Sequence, residues 1–382
     1  MIEWLVFPLV SFFIGSGIYI FMEGLSIIVD FFQAHPQLVY LLPAAGLVVF
    51  LLEQLPVFKK LGDTETILEE IHNPRQRIPW ILAPWICVMT WWSQLFGASS
   101  GREGTAIQIG ATLSEFAGDL FQRASKQTHL HRPLLLRMGL AGGFAAAFGA
   151  PIAGALFAVE HPGKFHKALV KEFPLLLATS WSSLKIAELL GLHHLTYSFP
   201  YSFDFLLTPL SWILISLGFA LMAGLYQFCF SILKENLLKI PRLLSLVGGG
   251  TVLAIVAFLL HSTEWHGLGT GLIAKSLSQP TGSIESLLKI SLTMLTVASG
   301  FRGGEVVPLM AGGALFGNYL AQVFTLPIEL VGAAGIAVLF SHRMRSPLAG
   351  FFFLLERFNP GVALFGALAL FLSWLSRKYL KF

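Results

Sequence analysis

Two carboxylates sit where so apolar a chain least accommodates charge. Glu103 lies in Gly101-Arg102-Glu103-Gly104-Thr105, and Glu305 lies in Gly303-Gly304-Glu305-Val306-Val307-Pro308. Glycines beside each carboxylate, with apolar residues following, suit a helix that breaks and restarts. A restarting helix aims unpaired backbone N–H groups outward and carries partial positive charge at that end. It is therefore an anion site that needs no full positive charge. The candidate anion contacts are Gly101, Gly104, Thr105 and Ala106 in one stretch, and Val306, Val307 and Pro308 in the other. The polar loop Gly62-Asp63-Thr64-Glu65-Thr66 joins them. A carboxylate at such an end competes for the site as an internal anion. When protonated it leaves the site and carries a proton, so one side chain can gate an anion and move a proton. The plainer alternatives are a polar loop with a solvated salt bridge at Gly101–Thr105, Arg102 paired to a carboxylate, and Glu305 paired to Arg302.

Composition limits what must position these residues. Of 382 residues, 55% are hydrophobic and 12% charged, about half the charge of a soluble domain at roughly 25%. The mean hydropathy is +0.73. Long apolar runs cover Trp4–Val29, Leu38–Leu55, Trp80–Phe96, Phe203–Leu233, Leu243–Leu260 and Val362–Trp374. A hydrocarbon core ~30 Å thick takes about 20 helical residues, so several runs can cross it. Others are shorter or broken by Gly and Pro. The fold class expected is an all-α integral membrane protein of spanning and partial-length helices. Met1-Ile-Glu-Trp has no basic start, so a membrane segment rather than a cleavable signal is expected there. The net charge of +4 is spread over short basic clusters such as Lys59-Lys60 and Arg377-Lys378. These suit lipid headgroups and are too sparse for nucleic acid. Cys87 and Cys229 lie in apolar runs and read as packing residues. H-E-x-x-H does not occur, and no enzyme, metal or cofactor is expected.

The chain also repeats itself. Phe148-Gly-Ala-Pro151-Ile-Ala-Gly154-Ala-Leu-Phe157-Ala-Val-Glu160 matches Met344-Arg-Ser-Pro347-Leu-Ala-Gly350-Phe-Phe-Phe353-Leu-Leu-Glu356 at a constant offset of 196. Glu103 and Glu305 match at 202, and Gly62 with its polar neighbours parallels Gly267-Leu-Gly-Thr-Gly271. Interrupted helices at corresponding positions of two halves point to a mid-membrane site at the repeat interface. The halves run about 1–195 and 203–382, in one domain over 1–382 with no soluble regulatory domain. Glu160 and Glu356 read as local caps or pairs at helix ends. The Phe351-Phe352-Phe353 run reads as packing, with a ring edge near a pore able to face an anion.

Gly101-Arg-Glu-Gly-Thr-Ala-Ile-Gln-Ile-Gly resembles the GREGP…QIG motif of the CLC chloride channel and transporter family. Ala145-Ala-Ala-Phe-Gly-Ala-Pro-Ile-Ala-Gly-Ala-Leu-Phe-Ala-Val-Glu resembles its AAAFNAPLAGxLFxxE segment, and Gly304-Glu-Val-Val-Pro308 stands at its GxFxP motif. The resemblance covers nearly the whole chain. It implies a CLC-like duplicated bundle with inverted repeats, and a homodimer with one anion pathway per subunit. It also implies a multi-pass protein of the plasma or inner cell membrane. Several positions depart from the family pattern. Gly62-Asp63-Thr64-Glu-Thr replaces the GSGIP loop, so its central serine is missing. Thr105 replaces a proline. His161 stands where the exchangers load protons through a glutamate. The helix that carries a central tyrosine is expected to be short or absent. GREGT, Glu69-Glu70-Ile-His and Glu305 together resemble the fluoride-exporting branch, although Val307 stands where that branch carries threonine. The resemblance implies halide transport, with fluoride/proton antiport through Glu103, Glu305 and His161 as the leading expectation. The alternative is a chloride channel or chloride/proton exchanger. A neutral, unpaired Glu305 could donate a hydrogen bond to fluoride, the strongest halide acceptor.

Overall fold

The computed structural model describes residues 3–57, 69–70, 77–125, 130–160, 167–194 and 208–379. Gly62, Asp63, Thr64 and His161 therefore lie outside the described residues. Among the described residues the chain is helical, with a single isolated β-bridge and no strand. The first half contains α1 (Glu3–Ala34), a 3₁₀ turn (Pro36–Leu41), α2 (Leu42–Glu53), α3 (Leu82–Leu95), α4 (Glu103–Ser125), α5 (Arg132–Phe148), α6 (Pro151–Glu160) and α7 (Lys167–Leu189). The second contains α8 (Pro209–Leu238), α9 (Arg242–Leu260), α10 (Thr270–Ser276), α11 (Ser283–Ser299), α12 (Val306–Phe324), α13 (Ile328–Met344), α14 (Pro347–Arg357) and α15 (Pro360–Tyr379).

Among the described residues six stretches are long and apolar enough to cross a membrane: α1, Pro36–Glu53, α8, α9, α12 and Pro360–Arg377. The run at Trp80–Phe96 yields only the 14-residue α3. In contrast, α12 qualifies although glycines obscure it in the sequence. The outward faces of α8 and α9 are apolar, with Leu210, Leu217, Leu221, Phe258 and Leu259 exposed. A surface of that kind suits lipid rather than water. Cys87 and Cys229 are separate, half-buried thiols.

The breaks have local causes that recur in both halves. Helix α5 ends at Gly149, which takes the left-handed conformation (φ 70°), and Pro151 opens α6. Helix α13 ends at Arg345, also left-handed (φ 55°), and Pro347 opens α14. Proline at a helix start loses nothing, since that N–H has no intrahelical partner. Small residues then let the broken helices approach. In one half Gly110 of α4 packs on the backbone of Gly139 of α5; in the other Gly313 of α12 packs on Gly335 of α13. A Cβ at any of these would run into the facing carbonyl.

Each short helix also closes the end of its counterpart. The Glu160 carboxylate, at the end of α6, accepts the Leu348 and Ala349 N–H groups at the start of α14 (3.0 and 2.8 Å). The Glu356 carboxylate, at the end of α14, accepts the Ile152 and Ala153 N–H groups at the start of α6 (2.8 and 2.9 Å). These are caps, as the sequence suggested, but neither is local. Each spans the two halves, because α6 and α14 pack against each other end to start.

Candidate functional site: two helix starts face to face

The two interrupted helices meet at their beginnings. Gly101 and Gly304 form the isolated antiparallel bridge. The Gly304 N–H donates to the Gly101 carbonyl at 2.9 Å, and the Gly101 N–H donates back to the Gly304 carbonyl. A side chain at Gly304 would lie 2.8 Å from the Gly104 nitrogen and 3.0 Å from the Glu103 carboxylate. Glycine is required there by the closeness of two backbones. Gly303 (φ 124°) makes the turn that brings them together.

Helix α4 starts at Glu103. Its first intrahelical bond runs from the Ala106 N–H to the Arg102 carbonyl (2.9 Å). That uses the Ala106 donor, so Ala106 is corrected as an anion contact. The N–H groups of Glu103, Gly104 and Thr105 have no intrahelical partner. On α12 the Leu309 N–H bonds the Glu305 carbonyl (3.0 Å), leaving Val306 and Val307. Pro308 has no N–H to offer; its ring packs against Gly101. The Thr105 hydroxyl is engaged by Thr90 (2.7 Å). The structure thus brings Gly101, Glu103, Gly104, Val306 and Val307 to one locus.

Glu103 is 1% exposed. Its Oε2 accepts the Arg102 N–H at 3.1 Å, and its Oε1 has no hydrogen-bond partner among the described residues. Leaving a buried carboxylate oxygen unpartnered is costly. The Arg102 guanidinium lies over the Phe148 ring, 5.9 Å from its centroid. Phe148 belongs to a ring cluster drawn from both halves, with Phe144 (4.5 Å) and Phe353 (6.0 Å). Of the Phe351-Phe352-Phe353 run, Phe353 alone is fully buried; the other two are half-buried.

Glu305 is differently placed. It is the N-cap of α12 but does not cap its own helix. Its Oε2 accepts the Tyr226 hydroxyl and its Oε1 pairs with Arg343 Nε. Two expectations are corrected here. Glu305 is neither unpaired nor paired with Arg302. Arg302 instead pairs with Glu53 (2.8 Å), as does Arg242 (3.0 Å). Phe230 stacks on Tyr226 and lies beneath Arg343, 5.6 Å from the guanidinium carbon. Sequence reading passed over Tyr226 and Arg343. Arg343 offered a signal, being a cation at the end of a small-residue helix; Tyr226 offered none.

A cavity of about 370 Å³ opens beside these residues. Its lining includes Gly104, Gln108, Gly304, Glu305 and Val306 on one side, and Lys234, Arg242, Arg302 and Arg343 on the other. Arg242 and Arg302 share Glu53, and Arg343 pairs with Glu305; the four cations still outnumber these two carboxylates, and the excess positive charge attracts anions.

The Voltage gated chloride channel family model matches residues 44–377. The chain belongs to that family. Within it, the chain is similar to a chloride/fluoride channel protein of Pseudomonas syringae pv. tomato. The two are 29% identical over 98% of this chain and 84% of that protein. It is 29% identical to the H(+)/Cl(-) exchange transporter ClcA of Vibrio cholerae, over 69% of this chain and 59% of that protein. Among solved structures it resembles a CLC-type fluoride/proton antiporter, with TM-score 0.89 and 30% identity. That match covers 98% of this chain and 95% of the other. The CLC fold accounts for the duplicated order of broken helices found here.

Proposed function

We propose that this chain exports fluoride in exchange for protons, with Glu103 as the group that alternates between anion site and proton carrier. The observation that carries the reading is the Glu103 carboxylate, buried and half-unpartnered where two helix starts meet. Ionised, it occupies the place of an anion among the N–H groups of Glu103, Gly104, Thr105, Val306 and Val307. Protonated, it vacates that place, and the same donors replace part of an anion's lost hydration. One group therefore links the two fluxes. The similarity to the fluoride/proton antiporter structure supports fluoride as the anion. Glu305, bound to Arg343 and Tyr226, stands at the cavity from which the anion reaches this point. Gly62, Asp63 and Thr64 are proposed as further anion contacts and His161 as a proton group.

A second reading, chloride/proton exchange, is favoured by the similarity to the Vibrio cholerae exchanger. We further propose that the protein works in a cell membrane as a homodimer with one pathway per subunit, each chain forming one transport domain from its two halves.

Purified protein in liposomes separates the readings. Fluoride and chloride efflux are measured with ion-selective electrodes, and proton movement is measured in parallel. Fluoride efflux that drives protons the other way, well above chloride efflux, is the expected result. Faster chloride than fluoride exchange would replace the first reading by the second. Cross-linking in the same liposomes tests the dimer, and fully active monomers would overturn it.

A further inference from the structure

Lys289 is a fully buried lysine that the transport reading leaves without a task. It lies on α11 with 0% exposure. Its ammonium donates to Ser99 Oγ (2.9 Å), the Gly267 carbonyl (2.7 Å) and the Trp265 carbonyl (3.1 Å). None of these is a carboxylate.

The surrounding hydrogen bonds assign its charge state. The Thr293 hydroxyl donates to the Lys289 carbonyl (2.8 Å). Having spent its proton there, Thr293 Oγ1 can only accept from the Ser99 hydroxyl, 2.9 Å away. Ser99 Oγ is then an acceptor toward Lys289. Three acceptors face the nitrogen, and the three N–H groups of an ammonium match them; a neutral amine has two and would oppose its lone pair to an oxygen. All three protons are used within the protein, so Lys289 cannot grip an anion directly. Protonated, it is a positive charge enclosed in the fold, and such a charge with no carboxylate partner among the described residues is expensive to keep.

Its position relates it to the anion site. Ser99 precedes Glu103 by four residues, and the Gly267 N–H bonds the Gly97 carbonyl (2.9 Å). The lysine thus holds the loop before α4. A Cβ placed on Gly269 would meet both Lys289 Cε (2.7 Å) and Ala311 Cβ (3.1 Å). Ala311 is five residues into α12, about 7.5 Å along the axis from its start. The charge is therefore beside the first turns of α12 and behind the entry to α4.

We propose that Lys289 is a positioning residue that raises anion occupancy at the paired helix starts through its field, without contacting the anion. A fixed charge on the order of 10 Å from a bound anion, at an effective dielectric constant of about 20, changes affinity roughly ten-fold. The proposal rests on anion transport but on neither choice of halide.

The test uses the full-length protein in liposomes and whichever halide the wild type moves faster, so that a failure of the fluoride reading leaves it intact. Lys289→Gln should raise the half-saturating halide concentration roughly ten-fold with maximal turnover unchanged. Lys289→Arg should restore the wild-type value. Ser99→Asp keeps the lysine and gives it a counter-charge, so it should reproduce the rise seen with Lys289→Gln. If Lys289→Gln fails to fold, Ser99→Asp decides. An unchanged half-saturation in Ser99→Asp overturns the proposal. So does a Lys289→Arg protein with the same half-saturation as Lys289→Gln, because a structural clamp alone would then explain both.

Discussion

Glu103 and Glu305 stand at matching helix starts, yet their surroundings are opposite. Glu103 is enclosed, with one oxygen unpartnered and its neighbouring arginine turned onto a phenylalanine ring. Glu305 borders a cavity and is gripped by a phenol on one oxygen and a guanidinium on the other. The duplicated backbone places a carboxylate twice. The side chains that other helices bring up decide whether it is free to move. A carboxylate with few partners can leave its place; one gripped on both oxygens stays put. On the proposed reading the pair divides the work, with Glu103 moving and Glu305 holding the cavity lining in register.

Each side of that contrast can be broken. The largest effect is expected from Glu103→Gln, which keeps the shape and removes the titration. Proton movement should fall by at least about 100-fold, the scale of losing a positioned proton-transfer group. A pH electrode on liposomes checks this, and near-normal proton movement would end the gating role.

Next is Arg343→Gln. Removing one partner of a largely buried pair should destabilise the protein by about 3 kcal/mol, since the remaining carboxylate loses its counter-charge. The double variant Arg343→Gln/Glu305→Gln should recover much of that loss in a thermal unfolding assay. Additive losses would show that the pair is not coupled.

Gly304→Ala probes the contact between the two starts. Its methyl group would meet the Gly104 nitrogen and the Glu103 carboxylate. Overpacking of this kind costs about 1–3 kcal/mol, and halide flux should drop even where dimers still assemble. Wild-type flux would mean that the two starts separate during transport.

The smallest effects belong to the crossed caps. Glu160→Gln and Glu356→Gln each remove a charge from a helix start and should cost about 1 kcal/mol apiece. Because the caps are reciprocal, the two losses should be similar. A large loss from only one would show that the two halves are not equivalent at this joint.

Much of this was legible in the chain. Charge scarcity against 55% hydrophobic content decides for a membrane, since 20-residue apolar helices satisfy their own backbone groups there. Gly149-Ala-Pro151 and Arg345-Ser-Pro347 mark broken helices, because proline has no N–H to continue one. The constant offset between Glu160 and Glu356 reveals the duplication. The lone acidic residues Glu103 and Glu305 stand out by their isolation. All of these are signals between neighbours in the chain, or repeats of such signals.

Partnership was decided by the tertiary structure alone. Glu305 meets Tyr226 from 79 residues away. Lys289 meets Ser99 from 190 residues away, and Glu356 meets Ile152 from 204. No periodicity records which buried acceptor a distant donor will reach. Without water to solvate it, a polar group within the bundle must find a protein partner, and only the packing of helix on helix determines which one is near enough. Residue type thus marks Glu103 and Glu305 as candidates; three-dimensional packing leaves one oxygen of Glu103 without a described partner and holds both oxygens of Glu305.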